Sequence, residues 1–147
     1  MAITGEYVPS KAQWVRDQVE EFEASDGQRA NTLPGTDDPI VVITNLGAKS
    51  GLVRKTPLMR VERDGTYVAI ASKGGAPEHP EWFHNFVAHP EVDLQDGSVK
   101  KSYRAEIVEG AEREDLWQLA VDTWSTYASY QEKTDRQIPV FKLTPID

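Results

Sequence analysis

Residues 52–71 of the chain read LVRKTPLMRVERDGTYVAIA, and this stretch predicts two strands joined by a tight turn. Leu52–Glu62 has an extended pattern, in which Pro57 indicates either an edge strand or a bulge. The dipeptide Asp64-Gly65 is a strong hairpin signal. The run Thr66–Ala71 that follows is apolar on both faces and predicts a central strand. The stretch therefore indicates a β-hairpin whose second strand is central in the sheet.

The rest of the chain predicts further strands and three helices. A second dipeptide of the same type, Asp96-Gly97, lies between two strand-like segments, Glu91–Gln95 and Ser98–Val108. Consecutive hairpins favour a mainly antiparallel sheet over a Rossmann alternation, and closure into a small barrel would remove its exposed edges. Ser10 is the expected N-cap of the first helix, and Gly27 lies just past its end. The remaining predicted elements are strands at Ile40–Thr44 and Ile138–Leu143, and helices at Lys11–Ala24, Pro80–Ala88 and Ala111 to about Tyr130.

Length and composition bound the class of protein. The 147 residues suit one domain, in which we expect a helix and connector at residues 1–38 and a barrel at residues 39–147. The chain has no Cys, which excludes a disulfide framework, a thiolate metal site and a Cys nucleophile. The three histidines are five residues apart, so neighbours would not share a helix face, and we expect no metal site. No membrane helix and no signal peptide are indicated, so we expect a cytoplasmic protein.

The formal net charge is −8, but the charge is unevenly distributed. Residues 1–38 carry 3 basic and 8 acidic groups, residues 39–76 carry 6 and 2, and residues 77–147 carry 7 and 14. The acidic balance argues against nucleic acid as a partner. The basic segment in the middle indicates either a site for a small anionic ligand or ordinary surface scatter, and the charge counts do not decide between them.

The first candidate site is Gly47–Lys55, which reads GAKSGLVRK. Glycines at both ends of its turn allow a ligand to approach the backbone, and Lys49, Arg54 and Lys55 add three cations. Such a turn can grip a phosphate or a carboxylate, although a solvated hairpin tip has the same pattern. The stretch matches neither a Walker A loop nor a dinucleotide fingerprint.

Two further candidates lie in a loop and in the last helix. The loop is Ala71–Gly75, in which Ser72 offers a hydroxyl and Lys73 a charge. Because no GxSxG elbow is present, ligand binding is favoured over covalent catalysis. Tyr127 and Tyr130 near the end of the last helix indicate tyrosines at a pocket rim, where a hydroxyl can donate to a substrate oxygen.

Three stretches together resemble one family. They are GAKSGLVRKTPL at residues 47–58, DGTYVAIASKGGAPEHPEWFHNFVAHPEV at residues 64–92 and YASYQEKTDRQIPV at residues 127–140. They are similar to the deazaflavin-dependent nitroreductases of actinobacteria, the A-type F420H2-dependent oxidoreductases of the split β-barrel superfamily. The resemblance implies an α+β, mainly β fold, a split β-barrel of about six mostly antiparallel strands with about three flanking helices.

The same resemblance implies an enzyme that binds coenzyme F420, a 5-deazaflavin with a phosphodiester and a polyglutamate tail. Its reduced form delivers a hydride to a quinone, an enone or a nitroaromatic acceptor. The family pattern puts Tyr127 and Ser72 in catalytic positions, and Tyr127 matches a tyrosine that assists protonation of the acceptor. Around the phosphate and tail are Lys49, Ser50, Arg54 and Lys73, with Lys55 as a further candidate. The other cofactor-binding residues are Pro57, Ala71, Ser72, Gly74 and Trp82, and the acceptor pocket has Met59, Trp124, Tyr127 and Tyr130.

Two departures from the family pattern leave the acceptor open, because Met59 and Trp124 stand where the characterised nitroreductase has tyrosines. An FMN-dependent oxidoreductase of the same superfamily and a non-catalytic deazaflavin-binding protein are the alternatives. Both a monomer and a homodimer fit the resemblance. The acidic first helix argues against stable membrane insertion, while a peripheral position at the inner membrane face stays open.

Overall fold

The helices and strands follow the predicted order along the chain, in a computed structural model that describes residues 3–146. The helices are α1 Gln13–Ala24, α2 Glu81–Ala88, α3 Gly110–Thr123 and α4 Thr126–Glu132, with a short 3-10 turn at Lys73–Gly75. The strands are β1 Ile40–Leu46, β2 Val53–Met59, β3 Glu62–Arg63, β4 Thr66–Ile70, β5 Glu91–Asp96, β6 Val99–Ile107 and β7 Val140–Pro145. The predicted α+β, mainly β class is therefore confirmed.

The strands form one antiparallel sheet in the order β2-β1-β5-β6-β7-β4-β3. Strands β2 and β3 lie at opposite edges, yet only Arg60 and Val61 separate them along the chain. Six strand spacings would part the edges of a flat sheet by about 29 Å, whereas three peptide units span at most about 11 Å. The sheet must therefore curl into a half-barrel. Arg60 N–H donates to the Pro39 carbonyl at 3.0 Å and Val68 N–H to the Val61 carbonyl at 2.9 Å, so the link continues the pairing at both edges.

Each face of the half-barrel carries its own apolar cluster, because side chains alternate between the faces along a strand. Ile40 and Val42 of β1 pack with α1, α3 and α4, whereas Val41 between them packs with α2. The cluster under α2 fills the concave side. This follows from Tyr67 of β4 and Tyr103 of β6, which are separated by β7 but bring their ring centroids to 5.4 Å.

Two predicted elements are divided in the structure. The single helix predicted from Ala111 to about Tyr130 is wrong, because the backbone is extended at Trp124 (φ −147°, ψ 98°) and separates α3 from α4. Residues 123–126 are Thr-Trp-Ser-Thr, a run of low helix propensity. The extended segment Leu52–Glu62 likewise becomes β2 and β3, which raises the strand number from about six to seven. Pro57 lies on the edge strand β2, one of the two predicted alternatives.

The predicted C-terminal end of α1 is confirmed, whereas the predicted N-cap is wrong. The N-cap is Ala12, and the predicted N-cap Ser10 instead accepts a hydrogen bond from Ala12 N–H at 3.2 Å. At the other end, Gly27 has a φ of +79° and its N–H donates to the Phe22 carbonyl at 2.8 Å, which closes the helix as predicted. No helix among residues 3–146 is long and apolar enough to cross a membrane.

Candidate active site

A groove lies beside β2, between α1, α2 and the turn that follows β4. It consists of two adjoining cavities of about 390 and 470 Å³ that share Trp14, Pro57, Leu58, Lys73, Pro80 and Trp82. The first, called here the aromatic cavity, extends to Trp124, Tyr127 and Tyr130. The second, called the basic cavity, extends to Arg54 and Lys55. The groove is thus apolar along its length, cationic at one end and rich in aromatic hydroxyls at the other.

Helix α4 supplies the aromatic end of the groove. Because the chain turns at Trp124, the Trp124 ring packs edge-on against Tyr127 and Tyr130, with centroids 5.0 and 5.7 Å away. Tyr127 is 5% exposed, and burial, with a smaller contribution from Tyr130, raises its pKa. Among the described residues its hydroxyl forms no hydrogen bond. The hydroxyl therefore stays protonated and can donate to a group in the aromatic cavity.

The turn after β4 brings Ser72 and Lys73 to the groove. Ser72 is 7% exposed, and within residues 3–146 its hydroxyl forms no hydrogen bond. Lys73, Gly74 and Gly75 all have left-handed backbone, with φ of 46°, 64° and 85°. A Cβ on Gly75 would lie 2.6 Å from the Tyr130 carbonyl oxygen, so this position requires glycine. The turn is thus tight, requires a glycine, and presents the side chains of Ser72 and Lys73 to the groove.

Four of the six cations of the basic segment, residues 39–76, form ion pairs with acidic side chains. The carboxylate of Glu23 pairs with Lys55, at 2.7 Å, and that of Asp96 pairs with Arg60, at 2.8 Å. Arg63 pairs with Asp115, and the exposed Lys73 lies 3.3 Å from Glu78. The two remaining cations, Lys49 and Arg54, form no ion pair with any described residue.

The turn at residues 47–51 lies outside both cavities, although Lys49 and Ser50 are predicted cofactor contacts. Ser50 Oγ accepts a hydrogen bond from Leu52 N–H at 3.1 Å. Asn85 of α2 anchors the turn, because its Oδ1 accepts from Ala48 N–H at 2.9 Å. Lys49 is exposed at the tip of this anchored turn.

Eleven of the fourteen predicted site residues line the groove, and three do not. Those in the groove are Arg54, Lys55, Pro57, Met59, Ser72, Lys73, Gly74, Trp82, Trp124, Tyr127 and Tyr130. The three exceptions are Lys49, Ser50 and Ala71. The side chain of Ala71 is fully buried in the apolar cluster on the concave side of the sheet. The functions of the individual residues stay predictions.

Sequence reasoning missed three residues of this region. Trp14 of α1 is 56% exposed and lines both cavities, although an isolated Trp on an acidic helix gives no ligand signal. Gln18, also on α1, lines the aromatic cavity and donates to the carbonyls of the connector. Arg136 holds the turn after β4 and is present in the motif TDRQIP, but nothing in its local sequence connects it to that turn.

Comparison with known proteins gives the family. The family model described as F420H(2)-dependent quinone reductase matches residues 14–145. The chain belongs to this family. Membership confirms the expected F420-dependent family, an oxidoreductase activity and reduced coenzyme F420 as the cofactor.

Individual relatives and solved structures extend the match. The F420H(2)-dependent quinone reductase Rv1261c of Mycobacterium tuberculosis is 32% identical over 126 residues, which is 84% of each chain. A solved structure of an F420-H2 dependent reductase (FDR-A) is 53% identical, has a TM-score of 0.68, and is matched over 71% of this chain and 93% of its own. A second structure, a domain-swapped dimer, is 46% identical with a TM-score of 0.71, over 91% of this chain and 99% of its own.

Proposed function

We propose that this quinone reductase family member binds reduced coenzyme F420 along the groove beside β2 and uses it to reduce a quinone. The observation that supports the proposal is the continuity of the two cavities. They share an apolar wall that includes Pro57 and Trp82, and a cationic end and an aromatic end lie on either side of it. An elongated ligand with a flat ring and an anionic tail fits such a groove.

The residues present suit the cofactor. A ring can lie against the apolar wall of Pro57, Leu58 and Trp82, since ligand pockets are mostly apolar with a few polar groups that fix orientation. Arg54 is the cation of the basic cavity that no acidic side chain of residues 3–146 neutralises. Its guanidinium can form paired charge-assisted hydrogen bonds to a phosphate or a carboxylate. Lys73 lies where the two cavities meet, and its ion pair with Glu78 joins two exposed side chains. Such a pair is weak, so the Lys73 ammonium can exchange Glu78 for an anionic group of the cofactor.

Reduced coenzyme F420, when bound, supplies a hydride. The protein then has to hold an acceptor in the aromatic cavity, exclude bulk water and provide a proton at the acceptor oxygen. The rings of Trp124 and Tyr130 line the cavity next to Tyr127, with centroids 5.0 and 6.4 Å from its ring. The Tyr127 hydroxyl is a donor without a protein partner among the described residues, so it, or a water that it orders, is suited to donate to the quinone oxygen. Ser72 Oγ is suited to hydrogen-bond a group bound in the aromatic cavity.

A quinone is favoured over an enone or a nitroaromatic by the family and by the flat aromatic lining of the cavity. We also propose a homodimer, because the related structure with 46% identity is a domain-swapped dimer. The expected cytoplasmic location stays a prediction.

The test is anaerobic oxidation of reduced F420 by menadione, followed as recovery of the deazaflavin absorbance. We expect turnover with menadione that exceeds turnover with an enone or a nitroaromatic. F420 binding without turnover on any acceptor would instead favour a non-catalytic binding protein. A tightly bound yellow flavin that survives purification would favour the FMN-dependent alternative.

A further inference from the structure

The guanidinium of Arg136 holds the turn after β4. Its Nη1 donates to the Ala71 carbonyl at 3.1 Å, its Nη2 to the Ser72 carbonyl at 2.8 Å and its Nε to the Ala76 carbonyl at 2.9 Å. Nη1 also contacts His79 Nδ1 at 2.9 Å. One side chain thus connects both ends of the turn to the segment between α4 and β7.

Two other features constrain the turn. The backbone of α4 lies close against Gly75, and the turn has backbone hydrogen bonds from Ser72 N–H to the Ile70 carbonyl, from Gly75 N–H to the Ser72 carbonyl and from Ala76 N–H to the Lys73 carbonyl, at 2.9, 2.9 and 3.1 Å. Lys73 has a left-handed φ of 46°, a conformation that costs free energy for a residue with a Cβ. Glycines at the next two positions give the free chain many alternative conformations. The three hydrogen bonds from Arg136, together with the packing of α4 against Gly75, select one of them.

Arg136 lies outside the groove and acts on it through the turn. It lines neither the aromatic nor the basic cavity, but a separate depression beside Arg113 and Trp117. The turn that it holds carries Ser72 and Lys73, which do line the groove. The positions of both side chains therefore depend on a backbone conformation that Arg136 maintains from outside the groove.

We infer that Arg136 is a positioning residue for the cofactor site. It holds the turn after β4 in the backbone conformation in which Ser72 and Lys73 can contact F420. This inference rests on the proposed function. If loss of the clamp leaves the turn in its binding shape one tenth of the time, the apparent cofactor Kd rises roughly tenfold. A Lys cannot replace Arg136, since the planar guanidinium with five donors reaches three carbonyl oxygens at once and an ammonium does not have that geometry.

The variants Arg136→Lys and Arg136→Gln test the inference, with Arg113→Gln as the matched control. Arg113 is 7% exposed and donates to a backbone carbonyl, that of Ile138, at 2.7 Å, but it does not touch the turn. We expect both Arg136 variants to raise the Kd of F420 roughly tenfold, with the KM for menadione within about twofold of the wild type. Arg113→Gln should lower Tm and leave the Kd of F420 unchanged.

Trypsin provides a readout that needs no cofactor. The bond after Lys73 lies in the turn, so limited proteolysis of the cofactor-free protein should cut there faster in both Arg136 variants than in the wild type or in Arg113→Gln. Wild-type Kd and wild-type cleavage in Arg136→Lys and Arg136→Gln would overturn the inference, as would equal effects in Arg113→Gln. A wild-type protein that binds no F420 would refute the proposed function and the cofactor part of the inference together. The trypsin cleavage rates would still show whether the Arg136 hydrogen bonds hold the turn.

Discussion

Lys55 Nζ donates hydrogen bonds to both carboxylate oxygens of Glu23, at 2.8 and 2.7 Å, and so ties β2 to α1. The Lys55 side chain is 20% exposed, and its ammonium also lies 4.8 Å from the centroid of the Tyr7 ring. Its charge is therefore used within the fold. Arg54, the next residue toward the N-terminus, has no acidic partner among residues 3–146. Neighbouring cations of one sequence motif thus have different electrostatic surroundings.

This difference predicts unequal effects on cofactor binding. Arg54→Met should raise the Kd of F420 roughly tenfold, the result of losing ~1.5 kcal/mol from a charge-assisted hydrogen bond. Lys55→Met should raise the Kd by less than about threefold, because the Lys55 ammonium already donates to Glu23 and the variant loses no hydrogen bond to the tail, only gaining repulsion from the unpaired carboxylate. It should also lower Tm. Titration of each variant with F420 measures the effect. Arg104→Met, on the exposed side of β6, is the control for loss of one positive charge. Equal increases in the Kd for Arg54→Met and Lys55→Met would contradict the expectation that only Arg54 binds the anionic tail directly.

Tyr127→Phe should lower kcat/KM for the quinone by roughly tenfold, which corresponds to loss of a hydrogen bond of ~1.4 kcal/mol to the acceptor. The Kd of F420 should stay within about twofold, since the ring that lines the cavity is retained. Because the pKa of Tyr127 is raised, its titration should not shape the pH–rate profile below about pH 10. Steady-state kinetics and F420 titration separate the two effects. Tyr130→Phe, which alters the other tyrosine of α4, is the control. Full activity of Tyr127→Phe would exclude the proposed donor.

How much the sequence predicts depends on the distance over which residues interact. The hairpin at Asp64-Gly65 was predictable because two adjacent residues with φ of 52° and 85° suffice to define it. The break at Trp124 was not, because the low helix propensity of Thr-Trp-Ser-Thr is too weak a signal to place a helix end. The ring of Trp124 packs against two tyrosines of α4, so tertiary packing decided that boundary.

The same distinction holds in the candidate site. Residues of one motif, such as Ser72 and Lys73, could be grouped because they are adjacent in the chain. The pair Lys55–Glu23 joins residues 32 positions apart, and Arg136 reaches the Ala71 carbonyl over 65 positions. No local pattern encodes which acid neutralises which base. The electrostatics of the basic segment therefore required the structure.

Asp96 should contribute to stability by closing the half-barrel. It accepts hydrogen bonds from the Tyr67 hydroxyl and from Arg60 Nε, so it connects β5, β4 and the link between β2 and β3. Asp96→Ala should cost about 1–3 kcal/mol, because it leaves the buried Tyr67 hydroxyl without its acceptor. Thermal denaturation should show a fall in Tm of about 2–4 °C per kcal/mol.

Two variants make this measurement specific. Asp96→Asn keeps an acceptor oxygen and should lose less stability than Asp96→Ala. Asp115→Ala breaks an ion pair with Arg63 in which both side chains are about half exposed, and such surface pairs contribute little. A loss in Asp115→Ala as large as that in Asp96→Ala would contradict a special role for the cross-barrel contact.

His79 should make stability depend on pH. Its Nδ1 faces Arg136 Nη1, its ring stacks on Phe83 at 4.2 Å, and His84 lies 6.3 Å away. Burial, followed by the positive charge of Arg136 and by His84, lowers the pKa of His79. In the unfolded chain a His titrates near ~6.5, so below that pH the unfolded state takes up a proton that the folded state resists. The stability that the folded state gains from a neutral His79 is therefore complete above about pH 6.5 and is lost as the pH falls toward the lowered pKa.

We therefore expect Tm to drop between about pH 7.5 and pH 5.5, and the drop to be smaller in His79→Gln. His89→Gln is the control, and a drop in His79→Gln equal to that of the wild type would show that other groups cause it.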